Sequence, residues 1–232
     1  MFILDAPQIE EVANALPLGY LWELAAIFIS ALAGGFAGIR KGFDIFGVLV
    51  LAWTASLFGG VLRDVMIGAF PPVGIANWSF FLTAISGGVA SYFLFPLVRK
   101  LNKTIIVLDA FALGLFVWVG TLKGLDNRMG MLASASVGVL TAVGGGLVRD
   151  ILTNSVPLIL SDRKYYAIPA CVGAVCFVVL YRFGQLNIFT SMIIMAGIVA
   201  FRLASLKFRW EVPSPQLSEG YWKWTHHHPE RD

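Results

Sequence analysis

The sequence predicts an all-α integral membrane protein: seven transmembrane helices, arranged as an inverted 3+3 repeat plus one extra helix. Three observations support this fold class. Hydrophobic residues make up 58% of the 232 residues and charged residues only 13%, whereas about a quarter of a typical soluble domain is charged. Long apolar runs recur along the whole chain. An unusual Arg-Asp motif occurs twice, at corresponding places in the two halves.

Seven apolar runs approach or reach the ~20 residues that a transmembrane helix needs. They are Leu18–Gly38, Phe43–Leu62, Trp78–Val98, Ile105–Leu122, Met129–Val148, Tyr165–Phe183 and Leu186–Leu206. Basic residues are concentrated in the connectors that follow the first, third and seventh runs and precede the sixth. The positive-inside rule therefore predicts an N-terminus outside the cell and a C-terminus in the cytoplasm.

The repeat is defined by two motifs. Gly59-Gly60-Val61-Leu62-Arg63-Asp64, followed by Pro71, corresponds to Gly145-Gly146-Leu147-Val148-Arg149-Asp150, followed by Pro157, at an offset of 86 residues. Gly144 makes the second glycine cluster a triple. A second pattern, G-x-x-K-G-x-D, occupies residues 38–44 and 120–126. A repeat of three spans predicts that the second copy enters the membrane from the opposite side.

The predicted organisation has four parts. Residues 18–102 form the first three-helix repeat, residues 103–184 the inverted second repeat, residues 185–209 the seventh helix and residues 210–232 a cytoplasmic tail. The three histidines of the tail, His226–His228, are interpreted as part of a solvated extension.

The glycine clusters predict interruptions of the second and fifth helices. Residues 43–69 would form a straight helix of about 40 Å, against a hydrocarbon core of about 30 Å. Adjacent glycines are favourable places for a helix to break. We therefore expect breaks at Gly59–Gly60 and Gly144–Gly146, with Pro71 and Pro157 beyond them. Carbonyl groups freed in this way must be buried in protein or line a wet cavity, where they suit a partly dehydrated monovalent cation.

Arg63 and Arg149 need partners because an isolated arginine in hydrocarbon costs roughly 3 to 17 kcal/mol. Asp64 and Asp150 are the nearest carboxylates in sequence, but adjacent helical residues point about 100° apart. The sequence therefore suggests that each arginine pairs with the aspartate of the other repeat. Such pairs could act as structural bridges, as gates of a pathway, or as both.

A polar stripe follows one face of the fifth predicted helix. Ser134, Gly138, Thr141, Gly145 and Arg149 recur at helical spacing. A lipid-facing helix does not need such a stripe. The stripe therefore predicts either a pore-lining face or a packing face.

Other charged residues lie near the ends of the predicted spans. Lys41 and Asp44, and their counterparts Lys123 and Asp126, are interpreted as helix-end charges or as the vestibule of a pathway. Asp109 is expected to pair with Lys100 or Lys103. Arg202 is expected to extend its guanidinium toward the interface.

Several function classes receive no support. No histidine precedes position 226, and no nucleophile elbow, nucleotide-binding loop or metal-spaced cluster is present. The sequence predicts no enzyme, no cofactor and no metal site. The net charge of +3 comes from scattered residues, so no nucleic-acid partner is expected.

With two copies of G-G-x-x-R-D, each followed by proline, and seven predicted spans, the sequence resembles the prokaryotic members of the TRIC family of trimeric intracellular cation channels. The resemblance covers about residues 18 to 209. It implies a homotrimer in a prokaryotic inner membrane, in contact with lipids, with a pore for potassium or other monovalent cations through each protomer. Kinked helices two and five would line the pore, and Arg63 and Arg149 would act as gates held by Asp64 and Asp150.

The same doubled motif marks related bacterial membrane proteins regarded as transporters of glycine. The alternative function is therefore a secondary transporter of a small amino acid. A membrane scaffold without flux is a third reading.

Overall fold

The computed structural model describes residues 6–98, 104–161, 165–208 and 210, the side chains of residues 6–18 and 161 excepted. These residues form nine helices and no strand. The helices are α1 (Ala6–Arg40), α2 (Ile45–Ile67), α3 (Val73–Ala76), α4 (Trp78–Val98), α5 (Thr104–Asp126), α6 (Met131–Leu152), α7 (Leu158–Ser161), α8 (Ala167–Arg182) and α9 (Ile188–Phe208).

Six helices of the described residues are long and apolar enough to cross a membrane: residues 19–40 of α1, and α2, α4, α5, α6 and α9. They correspond to six of the seven predicted spans, and the predicted third span agrees with α4 at both ends. The predicted sixth span contains α8, whose 16 residues are fewer than a straight membrane-spanning helix needs. The fold is thus that of a multi-pass, all-helical membrane protein, and the predicted sixth span, Tyr165–Phe183, stays a prediction.

The predicted breaks at the glycines are wrong. α2 runs as one helix through Gly59 and Gly60, and α6 runs through the triple glycine at positions 144–146. α2 ends later, at Gly68, whose φ of 75° places it in the left-handed region that glycine adopts without strain. Pro71 and Pro157 lie beyond the ends of these helices and precede the short helices α3 and α7. The glycines therefore need another explanation, which the packing provides.

Corresponding helices of the two halves pack against each other, α1 against α5 and α2 against α6. Glu23, in the middle of α1, contacts Lys123 near the end of α5. In α2 and α6, Gly59 lies against Thr141, while Ala55 lies against Gly145. Because one residue number rises as the other falls, the two helices run in opposite directions. These four helices form the centre of the bundle.

The outer helices attach differently in the two halves. Gly87 of α4 lies against Phe28 and Ala31 of α1, so α4 packs directly on the first helix of its repeat. The corresponding Gly173 of α8 lies instead against Ile198 of α9. α9 also contacts α5, so that the extra helix belongs to the second half.

Candidate functional site

The most unusual feature of the interior is a buried ion-pair cluster centred on Arg63. Its guanidinium Nη1 donates to Glu23 Oε1 at 2.7 Å, and Nε donates to Asp64 Oδ1 at 2.8 Å. Lys123 Nζ approaches Glu23 Oε2 at 3.0 Å. Arg63 and Asp64 are each only 1% exposed. We refer to Arg63, Glu23, Asp64 and Lys123 as the Arg63 cluster.

A second cluster repeats the arrangement around Arg149. Its Nη1 donates to Asp109 Oδ1 at 2.8 Å, and Nε donates to Asp150 Oδ1 at 2.9 Å. The Tyr166 hydroxyl lies beside the Asp109 carboxylate. All four residues are buried. We refer to Arg149, Asp109, Asp150 and Tyr166 as the Arg149 cluster.

The two clusters are related by the same offset of 86 residues as the glycine motifs. Glu23 corresponds to Asp109, as Arg63 does to Arg149. The sequence reasoning overlooked Glu23, although an acidic residue at both positions 23 and 109 was available as a signal. It assigned Asp109 to Lys100 or Lys103, which lie outside the described residues. The structure shows Asp109 paired with Arg149 instead.

The predicted pairing between repeats is also wrong. Each arginine contacts the aspartate that follows it and a carboxylate from the first helix of its own repeat. Each guanidinium links two helices, because its Nε donor binds a carboxylate on its own helix and its Nη1 donor binds a carboxylate on the first helix of the repeat. The second oxygen of each aspartate accepts a backbone N–H just beyond the helix end, from Val73 for Asp64 and from Leu158 for Asp150. The clusters thus fix the helix ends as well as the arginines.

The clusters lie toward opposite ends of the bundle. Asp109 is in the second turn of α5 and Lys123 is in its last turn. Fourteen residues of helix separate them by about 21 Å along the axis. A solute that crossed the protomer between α1, α2, α5 and α6 would therefore pass both clusters.

Midway between the clusters, the glycines bring α2 and α6 into backbone contact. A Cβ atom at Gly59 would overlap the carbonyl oxygen of Thr141, and one at Gly145 would overlap the carbonyl oxygen of Ala55. Only glycine allows this approach. The neighbouring Gly60 and Gly144 are less constrained, since Cβ atoms there would meet other atoms at 3.7 Å and 3.3 Å. Gly146 faces Tyr166 and Asp109 and leaves room for the Arg149 cluster.

The polar stripe of α6 packs against α5 in this structure. Ser134 and Thr141 are fully buried. A Cβ atom at Gly124 of α5 would lie 2.8 Å from Ser134 Cα, and one at Gly120 would lie 2.7 Å from Thr141 Oγ1. The stripe therefore allows close contact between α5 and α6.

The four predicted vestibule residues divide into two pairs. Lys123 and Asp126 line a cavity of about 210 Å³ at the end of the bundle that contains Glu23. Lys41 and Asp44 are exposed in the connector between α1 and α2. Asp44 caps α2, because its Oδ1 accepts the N–H of Gly47 at 2.7 Å.

Arg202 of α9 is buried, contrary to the expectation that it extends to the interface. Its Nη1 donates to the Tyr165 carbonyl at 3.0 Å, and its guanidinium carbon lies 4.7 Å from the centre of the Tyr166 ring. α9 thereby covers the Arg149 cluster. In the described part of the chain, no group of three or more His, Cys, Asp or Glu side chains is placed to hold a metal ion.

Comparison with known families gives a match that covers both repeats. The family described as Glycine transporter matches residues 20–96 and 106–182. A UPF0126 membrane protein of Deinococcus radiodurans is 33% identical over 67% of this chain and 74% of its own length. The UPF0126 membrane protein YvgT of Bacillus subtilis is 32% identical over 83% of this chain and 96% of its own length. The inner membrane protein YadS of Escherichia coli is 29% identical over 87% of this chain and 98% of its own.

Solved structures of TRIC channels have the same fold. A TRIC trimeric intracellular cation channel orthologue from Rhodobacter sphaeroides superposes with a TM-score of 0.79, at 27% identity, over 83% of this chain and 99% of that one. A second TRIC cation channel, from a study of conductance, gives a TM-score of 0.77 at 27% identity over 85% of this chain and 97% of that one. The chain belongs to the family described as Glycine transporter and is a relative of the UPF0126 membrane proteins. It shares its fold with the TRIC channels.

Proposed function

We propose that this protein is a passive channel for monovalent cations, chiefly potassium, with one pathway through each protomer of a homotrimer. The observation that carries the proposal is the likeness to TRIC cation channels, which extends over 83% of the chain with a TM-score of 0.79. The trimer rests on the same likeness.

The charges of the two clusters support passage of a cation. A bare arginine would repel the permeant ion, but each arginine here is held by two carboxylates. The two acidic and two basic side chains of the Arg63 cluster balance. The Arg149 cluster, with two carboxylates and one guanidinium, has one negative charge in excess. A cation that approaches either cluster therefore meets a neutral or attractive field.

The proposed pathway runs alongside the α2–α6 crossing. Its residues are Gly59, Gly60, Arg63, Asp64, Ser134, Thr141, Gly144, Gly145, Gly146, Arg149 and Asp150. The glycine crossing is too tight for an ion to pass between the two backbones, so the arrangement is that of a closed pathway. Arg63 and Arg149 are the proposed gates, which open when a guanidinium leaves one of its carboxylates.

The proposed topology has seven spans, with α8 as the sixth and the second three-helix unit inverted relative to the first. The antiparallel packing of α2 against α6 supports the inversion. With the N-terminus outside, the basic connectors are cytoplasmic. The cell membrane of a prokaryote is the proposed location, and lipids surround the trimer.

Potassium efflux from proteoliposomes tests the proposal. Vesicles with purified protein and an outward potassium gradient should lose potassium faster than protein-free vesicles, with unitary ohmic currents in planar bilayers. Arg63→Lys and Arg149→Lys, which keep a charge but lose the two-acceptor geometry, should change open probability. Lys41→Gln, in an exposed connector, is the control. Folded trimers without potassium flux would refute the channel.

Transport of a small amino acid such as glycine is the second candidate. It is favoured by the family description and by the opposite charges of Lys123 and Asp126 in one cavity. Radiolabelled glycine discriminates between the two. Saturable uptake that is accelerated by counterflow, in the absence of unitary currents, would establish the carrier.

A further inference from the structure

Arg202 is a buried arginine that neither copy of the doubled motif explains. It belongs to α9, which follows the two segments that carry the motif, and its side chain is fully buried. An arginine within a membrane-spanning helix is costly, and such residues usually serve a function. Arg63 and Arg149 are accounted for by their carboxylates, whereas Arg202 lies against two consecutive tyrosines, Tyr165 and Tyr166.

Two contacts of Arg202 fix the position of Tyr166. The guanidinium carbon lies 4.7 Å from the centre of the Tyr166 ring, a distance at which the face of an aromatic ring attracts a cation. Nη1 donates at 3.0 Å to the carbonyl oxygen of Tyr165, in the peptide group directly before Tyr166. One side chain of α9 therefore holds both the ring and the backbone that leads into it.

The hydroxyl group of Tyr166 reaches the centre of the Arg149 cluster. It contacts the Asp109 carboxylate, whose Oδ1 accepts Nη1 of Arg149 at 2.8 Å. Gly146 leaves room for this contact, since a Cβ atom there would lie 2.8 Å from the hydroxyl oxygen and 3.3 Å from Oδ1. Asp109 Oδ2 is buried and has no hydrogen-bond partner among the described residues. The carboxylate therefore depends on two side-chain donors, Arg149 and Tyr166.

Tyr166 matters more when the proposed gate opens. When Arg149 leaves Asp109, a buried carboxylate loses one of its two donors, and a buried charge without a partner is strongly unfavourable. The hydroxyl that remains then stabilises the open arrangement more than the closed one, because in the closed one the guanidinium already neutralises the carboxylate.

The first half has no counterpart of this brace. Phe80, which corresponds to Tyr166, has no hydroxyl group, and its ring stacks on that of Tyr20 with the ring centres 5.5 Å apart. The second cation on Glu23 is Lys123 of α5. α9 can therefore act on one of the two proposed gates and leave the other unchanged.

We propose that Arg202 is a positioning residue of the Arg149 gate: from α9 it holds the Tyr166 hydroxyl against Asp109, and thereby sets how readily Arg149 leaves that carboxylate. The inference rests on the proposed function, in which Arg149 gates the pathway. It makes α9, which contributes no residue to the proposed pathway, a regulatory element of one gate.

Single-channel recording of the purified full chain in planar lipid bilayers tests the inference. Arg202→Gln keeps a hydrogen-bond donor near the Tyr165 carbonyl but removes the charge from the Tyr166 ring. It should lower the open probability roughly five-fold, as expected for the loss of one ordinary hydrogen bond. The unitary conductance should stay unchanged, because Arg202 lies outside the pathway. Tyr166→Phe keeps the ring and loses the hydroxyl, and it should lower the open probability to a similar extent.

The double variant distinguishes positioning from a purely structural role. In the Tyr166→Phe background, Arg202→Gln should cause no further loss, whereas two independent effects would multiply to about twenty-five-fold. Such multiplication, or an unchanged open probability in Arg202→Gln, would overturn the inference. The matched control is Ser191→Ala, which removes another buried polar group of α9 about three turns from Arg202. It should gate as the wild type does.

Arg202→Lys repeats the cycle if Arg202→Gln does not yield folded protein. Lysine keeps the charge but lacks the planar group that stacks on an aromatic ring, so the loss of open probability should be smaller, about two-fold, and absent in the Tyr166→Phe background. The same loss in both backgrounds, or no loss in either, contradicts the inference. Wild-type protein without unitary currents refutes the channel and the gate with it. Wild-type currents with a failed cycle refute only the role of Arg202.

Discussion

The two arginine clusters have the same internal geometry but different surroundings. In both, a guanidinium bridges the aspartate that follows it and a carboxylate from the first helix of its repeat. The Arg63 cluster borders a cavity and gains a lysine from the other half. The Arg149 cluster includes Tyr166 and is covered by α9 through Arg202. The repeat thus fixes the ion pairs, while the outer helices decide which cluster is accessible.

Single substitutions between the halves account for much of this difference. Phe80 in the first half corresponds to Tyr166 in the second. Phe80 lines the cavity, whereas the Tyr166 hydroxyl lies beside Asp109. Lys123 corresponds to Lys41, yet Lys123 reaches Glu23 and Lys41 is exposed in its connector. The first cluster is therefore the better candidate for a group that responds to solutes.

Loss of the arginine should affect the two clusters unequally. Arg149→Met leaves Asp109 and Asp150 buried without a cation from their own cluster, and breaking a buried pair costs about 3–5 kcal/mol. Arg63→Met leaves Glu23 paired with Lys123, so the loss should be smaller by at least about 1 kcal/mol. Denaturant unfolding in detergent, followed by helical circular dichroism, measures both values. Equal losses would show that Lys123 does not compensate and that the clusters are energetically equivalent.

At the close contact between α2 and α6, adding a methyl group at Gly59 or at Gly145 should destabilise the protein by a similar amount. Gly59→Ala and Gly145→Ala place a methyl group against a backbone carbonyl of the partner helix, and such overpacking costs about 1–3 kcal/mol. Gly60→Ala is the matched control, because its Cβ would meet only the Arg63 guanidinium, at an ordinary contact distance of 3.7 Å. It should be neutral or stabilising by up to about 1 kcal/mol, since alanine favours helix more than glycine does.

Unfolding free energies of the three glycine variants check this prediction. If Gly59→Ala were harmless and Gly60→Ala severe, the glycines would act as breaks of the helix and not as a packing contact.

The parts of the fold that local sequence determines could be predicted. Length and hydropathy located six spans, and the doubled motif located Arg63 and Arg149 inside the bundle. The role of the glycines could not be found in this way, because a flexible backbone and a close helix contact require the same residue. Which of the two applies depends on the carbonyls of Thr141 and Ala55, more than 80 residues away in each case.

The partners of Arg63 and Arg149 could be predicted only in part. Asp64 and Asp150 were found because they are adjacent in sequence, but their pairing was assigned to the wrong repeat. Glu23 is 40 residues from Arg63, in a span predicted only from its hydropathy. The acidic residues at positions 23 and 109 would have been found by extending the 86-residue comparison to the first helix of each repeat.

Substitutions at the corresponding residues Tyr166 and Phe80 test how much the Tyr166 hydroxyl stabilises the Arg149 cluster. Tyr166→Phe removes the hydroxyl beside Asp109 and should cost about 1 kcal/mol, the net value of a typical hydrogen bond. The reverse change, Phe80→Tyr, adds a hydroxyl at the cavity near Glu23 and should alter stability by less than that. Denaturant titration compares the pair. A larger loss for Phe80→Tyr would mean that the cavity does not accept a polar group and that the two positions are not equivalent.

The smallest expected effect concerns the two corresponding lysines. Lys123→Gln removes an ion pair with Glu23 in which the lysine side chain is 27% exposed, and exposed or partly exposed pairs contribute about 0.2–1 kcal/mol. Lys41→Gln, in an exposed connector, should leave stability unchanged. Double-mutant cycles with Glu23→Gln measure the coupling free energies directly. A coupling should appear for Lys123 and be absent for Lys41, because only Lys123 reaches the carboxylate that also binds Arg63. If Lys41 coupled to Glu23 as strongly as Lys123 does, the asymmetry between the clusters would have to arise elsewhere than in the contribution of Lys123.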